Sequence, residues 1–299
     1  MLSKRKNHDL IVGPFRFSVT SNIRSVHDYL EHHYEHSIAE KSDNCFTDYH
    51  VALDHGPRYR RYYKPQASFK FNYSTPFKPL PLTQAHAMLE WGMNWVISSH
   101  ANHFFIIHAA ALEKDGKGII ITAASGSGKS TLCAYLVSQG WRLLSDELAL
   151  ISPKTMEMHG LARPINLKNQ SIELMKPYYN SNCFSEIALD THKGTICLLK
   201  PPQSSCLNAH VPVKPSHIIF VKYNEHEPCY VEPVEKSLAL TEIIRNSFNF
   251  SLLNKRGFEC ARNLIKQTNA FYIEYNNFEA CESAILNVMN KKATSDQTS

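Results

Sequence analysis

Gly118-Ile119-Ile120-Ile121-Thr122-Ala123-Ala124-Ser125-Gly126-Ser127-Gly128-Lys129-Ser130-Thr131-Leu132 is the stretch on which the fold turns. A short apolar run passes into a turn of small residues. A helix-forming segment follows through Ala134, Tyr135, Leu136 and Val137, closed by Gly140. Residues 123 to 130 fit the phosphate-binding pattern G-x-x-x-x-G-K-[ST] at every defined position but the first, where Ala123 replaces glycine. Chemistry explains the residue types. Gly126 and Gly128 let backbone N–H groups turn inward around phosphate oxygens, with Ser125 before them and Ser127 between them, and the helix adds its positive N-terminal pole. Lys129 supplies a cation for β- and γ-phosphates, Ser130 a hydroxyl for Mg²⁺, and Thr131 a further hydroxyl along the phosphate chain. Ala123 must avoid positive φ to be unstrained, which displaces the loop entry without abolishing binding.

Working outward, Trp141 to Ser145 reads as a strand that ends at Asp146-Glu147 and resumes as Leu148 to Ile151. Parallel neighbours bring strand ends together, so this carboxylate pair is expected beside the phosphates. One of the two can hold Mg²⁺, directly or through water, and the other can accept the proton of an attacking hydroxyl. On the other side, Phe104 to Leu112 reads as one central strand, apolar on both faces, with His108 in its middle. Asp115-Gly116 marks a hairpin into the strand that feeds the loop. His108 reads equally well as a core residue and as a functional group beside the loop.

Residues 1–100 read as a small α+β region, with a strand at Leu10 to Val19, a helix at Val26 to His36, and strands at Phe46 to Leu53 and Tyr59 to Phe71. Pro76, Pro79 and Pro81 form a link to Thr83, the expected N-cap of a packed helix over Leu82 to Ser98. Residues 101–290 form the expected nucleotide-binding domain. Its later strands are Gly194 to Leu199, Ser216 to Tyr223 and Ala270 to Tyr275; its later helices run over Ser237 to Phe248, Arg256 to Gln267 and Phe278 to Met289. Residues 291–299 read as a mobile polar tail. No internal repeat is present.

Composition narrows the function class. The 299 residues are 43% hydrophobic and 20% charged, as in ordinary globular proteins, with a formal charge of +5 spread along the length. No dense basic stripe exists, and nucleic acid is not an expected partner. Arg58, Tyr59, Arg60, Arg61, Tyr62, Tyr63 and Lys64 interleave cations with aromatics as single-strand binders do. The run reads instead as an exposed strand. No apolar segment approaches the roughly 20 residues that span a bilayer, and the N-terminus has no apolar core behind it, so a cytoplasmic location is expected. Cys45, Cys133, Cys183, Cys197, Cys206, Cys229, Cys260 and Cys281 include no Cys-x-x-Cys pair and read as reduced thiols. His32 and His36 share a helix face but make only two ligands, and no metal is assigned there.

These residues resemble HPr kinase/phosphorylase-like proteins, and among them the HPr-kinase-related kinase A group found with bacterial exosortase and PqqD-type gene sets. The matching blocks are 89–95, His108-Ala109-Ala110, 125–132, Gly140 to Glu147, Arg163 to Asn169 and Lys193-Gly194. The resemblance implies an α/β fold with a P-loop kinase core of the HPr kinase and phosphoenolpyruvate carboxykinase type, beside the smaller N-terminal α+β region. It implies ATP and Mg²⁺ as cofactors and transfer of a γ-phosphoryl group to a serine hydroxyl. By position, Lys129 and Ser130 hold phosphates and Mg²⁺, Asp146 matches one of two adjacent family aspartates, and His108 matches a histidine near the catalytic centre. Glu147 departs from the second aspartate, so the base is open between Asp146 and Glu147. Arg163 and Lys168 are candidates, by charge, to steady transferred phosphate. The phosphorylase signature is not recognisable, so reversal by inorganic phosphate is not expected.

The expected function is therefore an ATP-dependent kinase acting on a serine or threonine hydroxyl of a small protein or peptide, or of a small hydroxyl metabolite. Homo-oligomerisation is implied by the related kinases. A second reading, from another class, is an ATP-gated binding or switch protein that transfers nothing. A nucleic-acid-dependent ATPase is a third and weaker reading.

Overall fold

A computed structural model describes residues 4–39, 46–60, 63–123 and 126–291. Ser125, Cys45, Arg61, Tyr62 and the tail from 292 onward lie outside the described residues. The chain is a mixed α/β protein with four sheets among the described residues.

The first sheet is built from β1 (Lys6–Val12), β2 (Phe15–Ser21), β3 (Tyr49–His55), β4 (Gln66–Phe71) and β5 (Leu80–Pro81), in that order. The single strand expected over Leu10 to Val19 is a hairpin, because Gly13 at φ +57° turns the chain back. Helix α1 (Arg24–His33) and helix α2 (Ala85–His100) cover the sheet. Thr83 does not cap α2. It lies in a 3₁₀ turn over Leu82–Gln84, and Gln84 precedes the helix without a side-chain cap. Arg58–Arg60 is likewise a 3₁₀ turn and not the exposed strand expected of the basic run; Tyr59 is 75% exposed. The core of this sheet extends through α2 to Leu148, Leu150, Leu161 and Leu198.

Next come β6 (Phe105–His108), β7 (Ala110–Lys114), β8 (Lys117–Thr122), α3 (Lys129–Ser138), β9 (Arg142–Ser145), β10 (Leu148–Ile151) and β11 (Met158–His159). After these follow β12 (Ile165–Lys168), α4 (Gln170–Met175), β13 (Ala188–Thr191), β14 (Gly194–Leu199), α5 (Gln203–Leu207) and β15 (Pro215–Tyr223). The remainder is β16 (Tyr230–Pro233), α6 (Lys236–Arg245), α7 (Phe250–Leu253), α8 (Lys255–Gln267), β17 (Asn269–Tyr275) and α9 (Phe278–Asn290). The six-stranded sheet has the order β16-β17-β15-β8-β7-β9. Strands β8, β15 and β17 run parallel, and β7 is antiparallel to both β8 and β9.

Alternation along these strands splits the core between two faces. Ile119 and Ile121 of β8 pack with Leu132 and Leu136 of α3 and Ile285 of α9. Ile120 packs with Ile243 of α6 and Leu264 of α8. Helices thus cover both faces, which is why β8 and β15 read as continuous apolar runs. The hairpin expected at Asp115-Gly116 joins β7 to β8, with φ of +52° and +76° at the two turn residues, the geometry of a tight two-residue hairpin turn.

Phe104 to Leu112 is not one strand. The N–H of Ala109 bonds back to the carbonyl of Ile107 (2.9 Å), a three-residue turn centred on His108. There the chain leaves the β6-β10-β11 sheet and enters the six-stranded one. The β9–β10 segment paired with it switches sheets at the same level. Ser145 of β9 faces Ala111, Leu148 of β10 faces His108, and Asp146-Glu147 lie between them.

Candidate active site

The loop between β8 and α3 takes its shape from its glycines. Gly126 and Gly128 stand at φ +84° and +82°, backbone that side-chain-bearing residues rarely adopt, whereas Ala123 does not have positive φ. Gly128 immediately precedes α3, so the first N–H groups of the helix, from Lys129 onward, face the loop without intrahelical partners. Lys129 and Ser130 follow at the first helical positions and are half-buried.

Asp146 and Glu147 reach the loop by a route other than the expected one. Strand β9 is not the neighbour of β8; β7 separates them. Because β7 is antiparallel to both, β9 runs in the direction of β8, and its end still arrives at the same edge. The Ser145 hydroxyl receives the N–H groups of Glu147 (3.3 Å) and Leu148 (3.0 Å), and this side-chain turn holds the two acids out of the ladder.

The result is a cavity of about 460 Å³ lined by His108, Gly126, Gly128, Lys129, Ser130, Thr131, Asp146 and Glu147, with Lys168 and Lys193. Lys129 Nζ donates to the backbone carbonyl of Asp146 (3.0 Å). Burial, partly offset by Asp146 and Glu147, lowers the pKa of Lys129. Asp146 is buried, and one carboxylate oxygen, Oδ2, accepts the N–H of Asn166 (3.0 Å). Burial, with Glu147 alongside, raises its pKa to about 6. Burial, with Lys129 nearby, lowers His108 to about 4, so its imidazole is neutral at pH 7. The Thr131 hydroxyl lines the cavity but is engaged with the Ser171 hydroxyl at 2.6 Å.

Ser127 faces a neighbouring cleft. Arg163 does not reach the phosphate side. It is 5% exposed, and its guanidinium is used up on Glu90 Oε2, the Glu90 carbonyl (2.9 Å), Asn94 Oδ1 and the Tyr34 hydroxyl (3.3 Å). The expectation of a phosphate contact fails because a buried guanidinium must be neutralised where it lies. Lys168 does line the cavity. Among the described residues, neither Lys168 nor Lys193 forms an ion pair; Lys193 lies 5.5 Å over the Trp91 ring. The sequence gives Lys193 no role, because antiparallel pairing of β12 with β14 is what brings it beside Lys168.

Asn94, Glu90, Tyr29 and Tyr34 also belong to the site's support. Tyr29 and Tyr34 both donate to Glu90 Oε1 (3.0 and 2.7 Å), and Asn94 Nδ2 donates to Glu147 Oε2 at 2.6 Å. Asn94 thus passes the order of the buried Arg163–Glu90 pair on to the half-buried Glu147. Nothing in the spacing of these residues reveals the chain, because its members come from α1, α2 and the loop before β12.

A glycine-rich strand-to-helix loop with a lysine, set against a carboxylate pair in a mixed α/β chain, is the class this site defines. Residues 83–165 match the family model described as SynChlorMet cassette protein ScmC. The chain is similar to the HPr kinase/phosphorylase of Nitrosomonas europaea, at 26% identity over 196 residues, which is 63% of this chain and 60% of that protein. The solved Hpr(Ser) kinase/phosphatase of Coxiella burnetii superposes at 15% identity with a TM-score of 0.30, covering 62% of this chain and 99% of that one. No helix among the described residues is long and apolar enough to cross a membrane.

Proposed function

We propose that this chain is an ATP-dependent kinase that transfers the γ-phosphoryl group to a serine or threonine hydroxyl, on a small protein or peptide or on a small hydroxyl metabolite. The observation that carries this reading is the placing of Lys129, Asp146, Glu147 and His108 around one cavity at the mouth of the glycine-rich loop. The similarity to an HPr kinase/phosphorylase supports it, and the narrower likeness to the kinase A group belongs to the same proposal. Residues 101–290 are proposed as the kinase domain, with 1–100 as its supporting region.

The donor set suits Mg²⁺. Ser130, Asp146 and Glu147 offer only oxygen, and among the described residues no group of three or more His, Cys, Asp or Glu side chains forms a closed cage. A hard cation held by one or two carboxylates and by substrate phosphates needs no cage. The buried Oδ1 of Asn166, which has no hydrogen-bond partner, adds a free polar atom beside Asp146. When bound, Mg²⁺ neutralises phosphate charge.

This chain's own residues do the rest. The N–H groups at the start of α3 and the Lys129 ammonium take phosphate oxygens. Asp146, buried and raised to about 6 in the free protein, is the acid whose charged form a nearby cation would stabilise. Glu147 has Oε2 held by Asn94, which leaves Oε1 to accept the proton of an attacking hydroxyl at that atom. Lys168 and Lys193 supply positive charge where charge develops on the transferring group. Phosphoryl transfer rests mainly on such positioning.

Incubation with γ-labelled ATP, Mg²⁺ and the small serine-bearing proteins encoded alongside tests this reading. Label on a hydroxyl of one of them is the expected result, and loss of transfer with retained ATP binding is expected for Asp146→Asn with Glu147→Gln. ATP binding without transfer to any partner, free serine included, supports the ATP-gated switch instead.

A further inference from the structure

A second cleft, of about 610 Å³, adjoins the phosphate cavity and shares Ala123 with it. It lies under the loop, bounded by Thr122 and Ser127 on one side and by β15, β16, β17 and α6 on the other. We propose that this cleft receives the base and ribose of the nucleotide whose phosphates occupy the glycine-rich loop. The inference rests on the kinase reading for the phosphate site but concerns residues that reading does not use.

Direction along the sheet is the first argument. The acids arrive from β9, two places from β8 on one side, while β15 and β17 lie on the other side. A nucleotide whose terminal phosphate faces Asp146 and Glu147 must carry its nucleoside half toward β15 and β17. Wall chemistry is the second. Phe220, Val234, Leu238 and Tyr272 supply apolar and aromatic surface, and the Tyr272 hydroxyl is tied to Glu274 Oε2 at 2.9 Å, which leaves the ring for the cleft. Two carboxylates, Glu232 and Glu242, also line it. Glu232 accepts from the Tyr230 hydroxyl at one oxygen (2.8 Å), and Glu242 pairs with Arg245 at 3.0 Å. Lys222 and Arg245 line it as well, each paired with a glutamate, so the charges of the cleft balance, and it offers carboxylate oxygens to sugar hydroxyls or an exocyclic amine, with the flat ring against the apolar wall. The third argument is an orphan. Thr122 is 1% exposed, its hydroxyl has no hydrogen-bond partner, and it lines this cleft next to Ala123, the residue the two cavities share. A buried hydroxyl without a partner is costly unless a ligand supplies one. An acceptor fits this place less well, because its hydroxyl must reach the terminal phosphate from the Glu147 side.

Calorimetric titration of the full chain with Mg-ATP and, separately, with Mg-tripolyphosphate tests the proposal. Leu238→Asp changes a side chain that is 55% exposed on α6, so the fold is retained, which its melting temperature checks. Expected are tighter binding of ATP than of tripolyphosphate to the wild type, at least tenfold weaker ATP binding in Leu238→Asp, and unchanged tripolyphosphate binding. Glu232→Gln should weaken ATP alone in the same way. If wild type binds both ligands equally, or Leu238→Asp leaves ATP untouched while weakening an acceptor peptide, the cleft is not the nucleoside site and the phosphate reading stands. If neither ligand binds the wild type, the phosphate reading itself fails and takes this inference with it.

Discussion

Arg163→Met replaces a buried guanidinium by an apolar chain of similar length and leaves the Glu90 carboxylate, itself 3% exposed, with two tyrosine hydroxyls and no counter-charge. Removing one partner of a buried ion pair costs about 3–5 kcal/mol, because the remaining charge stays desolvated. Four hydrogen bonds leave with the guanidinium, which places this site toward the upper end of that range. In a chain of this size the loss lowers Tm by about 10 °C. Urea titrations without nucleotide measure it for Arg163→Met, Glu90→Leu and the double variant. The double variant is expected to lose less than either single, since replacing both partners by apolar groups removes the stranded charge. Nucleotide affinity should change little while transfer falls, because Asn94 loses the partner that fixes its amide toward Glu147. A cost below about 1 kcal/mol, or strict additivity in the cycle, would refute the reasoning. A selective loss of ATP affinity at unchanged stability would restore Arg163 as a phosphate contact.

Asp146→Asn should stabilise the nucleotide-free protein at pH 7 while abolishing transfer. The folded-state pKa is about 6 against 3.8, so the native state holds a proton that the unfolded chain has released between these values. Stability contributed by this group therefore falls as pH rises through about 4 to 6, and removing the charge recovers up to about 3 kcal/mol above pH 6; urea midpoints at pH 5 and 7.5 check it. His108 and His33 act in the opposite sense. Burial lowers both to about 4, so the unfolded chain takes up protons first and stability falls as pH drops from about 6.5 toward 4. His33→Phe should blunt that acid transition in a pH-dependent melt, and an unchanged profile contradicts the assignment. Lys129→Met should weaken Mg-ATP and Mg-tripolyphosphate alike and cut transfer by about 10²-fold or more, without loss of melting temperature; equal kinetics to wild type would remove Lys129 from the site.

Local chemistry was legible in the sequence by itself. The order strand, glycine-rich loop, helix at 118–138, the hairpin at Asp115-Gly116, the strand Gly194–Leu199 and the helices near 255–267 and 278–290 all follow from short-range periodicity and turn residues. Short-range rules suffice there because each signal and the structure it causes lie within one or two turns of chain. Tertiary structure alone decided the rest. His108 stands at a three-residue turn and not in the middle of a strand because the chain passes between two sheets at that point, and an apolar run reads the same whether it fills one sheet or two. The acids reach the loop across β7 because antiparallel insertion preserves the direction of β9, which no spacing encodes. By charge alone Arg163 reads as a phosphate contact, but its charge is spent on Glu90 from a helix more than 60 residues earlier. Long-range neutralisation of buried charge depends on which elements pack together, and that is settled only when the core closes.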